Sequence, residues 1–273
     1  MPKVTVNDIQ IYYEWHGPPD GEVVVLSNGV LMSTASWAMQ TAALAKHYRL
    51  LLYDCRGMWQ SEHPPGPYSM EMHADDLAGL MDALEIDAAH MGGTSYGAEI
   101  SMIFALKYPQ RTKSLMVTSA VSHVEPLLNG FIETWNSAAK AHDSERLFQV
   151  VYPLTFANDW IAANQETLNQ ARERYKLLDF DAFSALLMSF SQLNITSDLH
   201  KITAPTLVVA GDEDILKPRH YSEIIAKEIP NAEFAVIPGA GHAALWEKAG
   251  VFNSLLLGFL ATHAQPPGGI GQD

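Results

Sequence analysis

The run Met91-Gly92-Gly93-Thr94-Ser95-Tyr96-Gly97-Ala98-Glu99 narrows the fold more than any other stretch of the chain. A short apolar segment, Ala88 to Met91, reads as a buried strand before it. Ile100 to Leu106 reads as a buried helix after it, ending near Tyr108-Pro109. Strand, glycine turn and helix are the context in which G-x-S-x-G describes a nucleophile elbow. So sharp a turn leaves no room for a Cβ at Gly93 or Gly97, and it forces Ser95 into a strained conformation with Oγ pushed out above the sheet. The amides that open the helix face the same spot, where they favour negative charge. A glycine-rich βα turn with an incidental serine has the same letters, so the remaining chain must decide.

The order of elements supports a mixed α/β fold. Lys3 to Val6 and Ile9 to Trp15 alternate about Asn7-Asp8 as a hairpin. Val23 to Leu26 is a near-continuous apolar run, as in a strand covered on both faces. Trp37 to Leu44 reads as helix and Arg49 to Tyr53 as strand. Leu77, Leu80, Met81 and Leu84 share one helical face. Leu115 to Thr118 is another strand. From about Ser122 to Ala204 strand-like runs vanish, and Phe183, Leu186, Leu187 and Phe190 keep helical spacing, so 122–204 reads as a helical insertion. The βα order resumes with strands at Thr206 to Ala210 and Phe234 to Ile237, a helix over Tyr221 to Ile229 between them, and a last helix carrying Val251 to Leu260. Residues 1–121 and 205–264 thus form a discontinuous core, and the tail 265–273 is too poor in apolar side chains to order itself. Such alternation implies a mainly parallel sheet with helices on both faces, and ligands bind outside the carboxyl ends of its strands.

A chain of 273 residues, 48% hydrophobic, can bury the core this needs. Its formal charge of −14 disfavours nucleic acid or an anionic membrane as a partner. The single cysteine, Cys55, rules out an internal disulfide and reads as a small buried apolar residue. Without an apolar leader or a run of ~20 apolar residues, the expectation is a soluble, cytoplasmic protein. Nothing in the sequence speaks to its oligomeric state.

A serine hydroxyl is a weak nucleophile until a base takes its proton, and that base needs an orienting carboxylate. Asp214 lies in Gly211-Asp212-Glu213-Asp214 and His242 in Pro238-Gly239-Ala240-Gly241-His242, each directly after a strand. Neighbouring parallel strands would bring the two loops together. His242 Nδ1–H could then reach Asp214, with Nε2 presented to Ser95. Asp212 is a back-up acid but fits a loop-stabilising role better, and Glu99 fits a carboxylate complementing the helix dipole rather than a catalytic group. The oxyanion needs pre-aimed donors; the expected ones are Tyr96 N–H and Val30 N–H, the latter from the loop Ser27-Asn28-Gly29-Val30-Leu31.

With Gly93-Thr94-Ser95-Tyr96-Gly97, Asp54-Cys55-Arg56-Gly57, Gly211-Asp212-Glu213-Asp214 and Gly241-His242 in place, the chain resembles an α/β-hydrolase from Ile9 to about Leu260. Leu26 to Val30 together with Tyr53 to Gly57 most resembles the branch holding 3-oxoadipate enol-lactonases and cofactor-free haloperoxidase-like esterases. The resemblance implies an eight-stranded sheet and a helical cap over the site between strands six and seven. Two departures stand out: Asn28 replaces the usual histidine before the loop glycine, as in the enol-lactonases, and Met58-Trp59 replaces a His-Gly pair.

The function expected is hydrolysis of a small carboxylic ester or lactone through an acyl-enzyme on Ser95, His242 and Asp214. Alternatives are carbon–carbon bond hydrolysis or perhydrolysis on the same triad and, from another class, a low-turnover signal receptor. Gly29, Met32, Trp135, Trp160 and Trp246 are candidate substrate contacts, each tryptophan equally open to a packing role. No metal-ligand spacing or phosphate-cradling loop is visible, so no cofactor is expected.

Overall fold

A computed structural model describes residues 2–263; the tail expected to lack order, 265–273, lies outside them. The sheet has eight strands in the order β1-β2-β4-β3-β5-β6-β7-β8. The hairpin β1 (Lys3–Val6) and β2 (Ile9–His16) is antiparallel, and β2 runs antiparallel to β4 (Arg49–Tyr53). From β4 onward, β3 (Val23–Ser27), β5 (Ala89–Thr94), β6 (Thr112–Thr118), β7 (Thr206–Gly211) and β8 (Glu233–Ile237) are all parallel.

The apolar runs have a direct structural cause. Along β3 and β4, Val24, Leu26, Leu50 and Leu52 pack into one core, while Val25, Leu51 and Tyr53 pack into another on the opposite face. Successive side chains point to opposite faces, so a strand buried on both sides needs apolar residues throughout. One face is covered by α2 (Met70–Ala83) and α3 (Tyr96–Lys107), which bring Leu77, Leu80, Met81 and Phe104. The other is covered by α1 (Ala38–Leu44) and the helix Ala249–His263, with Leu44, Phe252, Leu256 and Phe259.

Between β6 and β7 the chain forms α4 (Pro126–Lys140), α5 (Ser144–Thr155), α6 (Asn158–Ala163), α7 (Gln165–Tyr175) and α8 (Phe180–Phe190). The extended pairing there is a single bridge, His123 with Asn194. Helix α4 packs on α5 and α8, and α5 packs on α7. Among the described residues no helix is long and apolar enough to cross a membrane.

Several boundaries differ from the sequence expectation; β6, for one, begins at Thr112 and not at Leu115. Thr34–Trp37 is a 3-10 turn, and the α-helix begins only at Ala38. Strand β5 continues through both glycines to Thr94, because Gly92 and Gly93 stay paired to β3 and β6, and α3 begins at once with Tyr96. The turn therefore consists of Ser95 alone.

Candidate active site

Ser95 carries the strain expected of an elbow: φ 51°, ψ −124°, a conformation L-residues rarely adopt. Its N–H donates to Thr118 O at 2.9 Å and its carbonyl accepts Ala98 N–H at 2.8 Å, so the backbone is fixed from both sides. A Cβ on Gly93 would come within 2.3 Å of Gly97 O, and one on Gly97 within 2.0 Å of Ser27 O. Both glycines are needed for close backbone approach, with φ in the ordinary range.

The register that aligns β6, β7 and β8 brings two further loops to the same end of the sheet. Asp214 Oδ1 accepts the N–H groups of Leu216 (3.0 Å) and Lys217 (2.8 Å), and Oδ2 accepts His242 Nδ1–H at 2.8 Å. Ser119 Oγ donates to His242 O at 3.0 Å and steadies the histidine loop. Asp212 is elsewhere, accepting Gly239 N–H at 2.6 Å on the exposed outer side of the loop. The expected approach of His242 Nε2 to Ser95 is only half met. Both residues border one cavity, but no hydrogen bond joins them. Ser95 Oγ instead accepts one from Lys217 Nζ at 3.2 Å.

Lys217 was not foreseen. Its side chain is 3% exposed, its Nζ lies 2.7 Å from Glu99 Oε1, and its ammonium sits 4.6 Å over the Phe190 ring. Glu99 occupies the first turn of α3 as expected, yet its carboxylate serves other groups than that helix's amides: Oε1 accepts Lys217 Nζ–H and Val121 N–H. Burial pushes the Glu99 carboxyl up, with Lys217 pulling it back down. The signal available in the sequence was a lone lysine three residues after Asp214, followed by Pro218, and lysine is by default a surface residue.

Val30 and Tyr96, the expected oxyanion donors, both border Ser95. As the first residue of α3, Tyr96 has an N–H without an internal helical acceptor. The Val30 loop is held by buried polar contacts. Asn28 Nδ2 donates to Asp54 Oδ1 at 3.0 Å and Asn28 Oδ1 accepts Trp37 Nε1–H at 2.8 Å. The departure at Asn28 thus builds the loop's foundation. Asp54 also accepts the N–H groups of Thr34 and Gln60, and burial still raises its pKa to about 6. Leu31 takes a left-handed φ of 72°, and its carbonyl accepts Trp59 Nε1–H at 3.2 Å. Met58-Trp59 therefore splits between two duties: Met58 is buried in the core, and Trp59 walls the cavity beneath the Arg174 guanidinium, 4.7 Å above its ring.

Ser95 stands between two spaces. The larger, about 400 Å3, is shared by the sheet's loops and helices α4 to α7, with Gly29, Met32, Trp135, Trp160, Trp246 and His242 all on its wall. The tryptophans also pack: Trp135 Nε1 donates to Val150 O, Trp246 Nε1 to Ser36 O, and Trp160 stacks on Phe156 at 4.2 Å. The smaller space, about 20 Å3, lies on the Lys217 side among Leu128, Ile132, Trp135 and Phe190. Tyr96 ties the elbow to α8, its hydroxyl meeting Ser189 Oγ at 2.6 Å and His73 Nε2 at 2.8 Å. Burial holds that histidine neutral, its pKa lowered to about 3. Among the described residues no group of three or more His, Cys, Asp or Glu side chains is disposed to hold a metal ion.

The chain is 32% identical to a protein of Caulobacter sp. (strain K31) that bears the name carbamate hydrolase RutD, over 93% of this chain and 97% of the other. The enol-lactonase of Burkholderia xenovorans LB400 superposes with a TM-score of 0.90 at 26% identity, covering 95% of this chain and 100% of that one. A bromoperoxidase of Bacillus anthracis gives 0.86 at 26% identity, with the same coverage. Residues 22–249 match the model of the alpha/beta hydrolase fold, and the chain belongs to that family of hydrolases.

Proposed function

We propose that this hydrolase cleaves small carboxylic esters or lactones through an acyl-enzyme on Ser95. The observation that carries the reading is the strained Ser95 opening onto the same 400 Å3 cavity as the buried Asp214–His242 pair. Ser95 Oγ rotates from Lys217 toward His242, gives its proton to Nε2 and bonds to the carbonyl carbon. The carbonyl π electrons move onto oxygen, where the N–H groups of Val30 and Tyr96 receive them. Asp214 holds the imidazole's orientation and offsets its positive charge. Collapse breaks the bond to the leaving oxygen, which takes the proton from His242. Water, deprotonated by the same imidazole, then releases the acid.

Residues 122–204 act as a cap in this reading, with 1–121 and 205–264 as the core that carries the chemistry. The cavity's largely aromatic and aliphatic walls suit an apolar acyl or alcohol group. The name of the Caulobacter relative motivates a second bond type, a carbamate, whose carbonyl the same serine would attack. The test is a panel of matched esters, lactones and carbamates assayed on wild type and Ser95→Ala, with mass spectrometry of the phosphonate-treated protein. Turnover confined to wild type and an adduct on Ser95 are expected; equal turnover by both proteins would end the reading.

A further inference from the structure

We propose that Lys217 is a second catalytic group acting on Ser95, supplying positive charge directly to Oγ, and that Glu99 is the positioning residue that keeps the ammonium there. The inference deepens the serine-hydrolase reading and rests on it. Three observations carry it. Lys217 is 3% exposed, a rare condition for a lysine, and the acid loop delivers it, since its own N–H is bonded to Asp214 at 2.8 Å. Its Nζ reaches the nucleophilic oxygen at 3.2 Å, where no histidine bond competes in this resting arrangement. Its anchor, Glu99, is wholly buried at the start of the elbow helix, and Glu99 Oε2 has no hydrogen-bond partner.

An ion pair placed there for stability alone would be a poor device. Burying both charges costs more than most pairs recover, and one carboxylate oxygen is left unsatisfied. Pairing also uses only part of the ammonium. Of its three donors, one meets Glu99 and one meets Ser95, and Lys217 also lines the small cavity of about 20 Å3 that borders Ser95. When Ser95 Oγ gives its proton to His242, negative charge forms on an oxygen that already has a fixed cation within hydrogen-bond reach. Lys217 keeps all its protons throughout, so the proton balance of acyl transfer is unchanged; only the charge-separated state is lowered. A fixed donor aimed at developing charge in a water-poor site typically accelerates such a step by ~10²–10³-fold.

The test measures the reactivity of Ser95 without any assumption about substrate. A neutral fluorophosphonate labels the serine, and the rate of adduct formation is followed by intact-protein mass spectrometry. Lys217→Met alone leaves a buried carboxylate unpaired and endangers folding, so the informative variant is Lys217→Met with Glu99→Gln, which removes both charges together. It should keep the wild-type circular dichroism and label about 10²-fold more slowly. The same comparison in a His242→Ala background separates direct action from support of the histidine. A direct effect on Oγ predicts a similar fall there, whereas an effect exerted only through the histidine predicts none. Glu99→Gln alone should give an intermediate rate, because the ammonium remains but loses its anchor. Labelling of the double variant within about threefold of wild type, or faster than wild type, overturns the proposal, as does a fall that disappears without His242. Wild type that fails to label at Ser95 would instead remove the serine-hydrolase reading beneath it.

Discussion

Asp214–His242 and Glu99–Lys217 each pair a buried carboxylate with a side-chain nitrogen beside Ser95, at 2.8 Å and 2.7 Å, and they are built on opposite terms. Asp214 spreads its partners over both oxygens, two backbone N–H groups on Oδ1 and the imidazole on Oδ2. Glu99 crowds Val121 N–H and Lys217 Nζ onto Oε1 and leaves Oε2 with none. A carboxylate with three donors holds its charge at little cost, whereas a half-satisfied one in the same low dielectric does not. The first pair is a rigid part of the loop that follows β7. The second crosses from that loop to the elbow helix and joins the two elements that must stay in register for attack. Under the roles proposed above, satisfaction on one side and deficit on the other separate a group whose task is orientation from one kept for its charge.

The sharpest way to break the comparison is to remove what both pairs serve. Ser95→Ala should leave the fold intact and lower ester turnover by several orders of magnitude, as loss of a triad member does. Substantial turnover in that variant, with contamination excluded, would leave both pairs without a common object. Next in size is Asp214→Asn, where an amide in place of the carboxylate leaves His242 in the wrong tautomer and should cost ~10⁴ in kcat. Asp212→Asn is the control. Its carboxylate holds Gly239 N–H outside the site, so its loss should change kcat by no more than a few-fold. A reversed ranking of the two variants would transfer the orienting role.

The two tryptophans test the space the pairs face. Trp135 borders both cavities, while Trp160 borders only the larger. Trp160→Ala should alter preference among acyl chain lengths, by ten- to a few-hundred-fold if it removes contacts worth ~1–3 kcal/mol. Trp135→Ala should do the same and also change attack on a small acetate, because it opens the Lys217 side. Kinetic profiles across a chain-length series decide between these outcomes. Identical profiles for wild type and both variants would reduce the tryptophans to packing.

Much of this was legible in the sequence for reasons that differ between the two pairs. Strands β3, β4 and β7 announced themselves because burial on both faces demands unbroken apolar runs. Asp214 and His242 could be read because each follows a strand directly, and a parallel sheet collects strand ends on one side. Lys217 lies farther along the loop after β7, and nothing in its neighbours' spacing marks a lysine as buried. Its place depends on α8 bringing Phe190 over it and on Glu99 meeting it from 118 residues away in sequence. The same limit applied to Glu99, whose position in the first helical turn was plain and whose partner was not. The long stretch of β5 through Gly92 and Gly93 was also missed, since glycine in sequence signals a turn while here it permits close packing between strand and helix.

The smallest effect is thermodynamic, and it probes the contrast without reference to catalysis. Burial raises the Glu99 carboxyl above its ordinary value of 4.5, with Lys217 opposing. A raised folded value means that the group's contribution to stability is complete below about 4.5 and is lost as pH rises through the folded value. Exchanging the pair for Lys217→Met with Glu99→Gln removes that titration and both desolvated charges, while the glutamine carbonyl still accepts Val121 N–H. Replacing a buried pair by neutral groups of similar size is often stabilising by ~1–4 kcal/mol. The double variant should therefore melt above wild type at pH 7 to 8, by several degrees, and the gap should narrow toward pH 4.5. Differential scanning calorimetry across that range measures it. A double variant that melts below wild type, with a deficit growing as pH rises, would make Glu99–Lys217 a stabilising pair, and the distinction between orientation and stored charge would no longer hold.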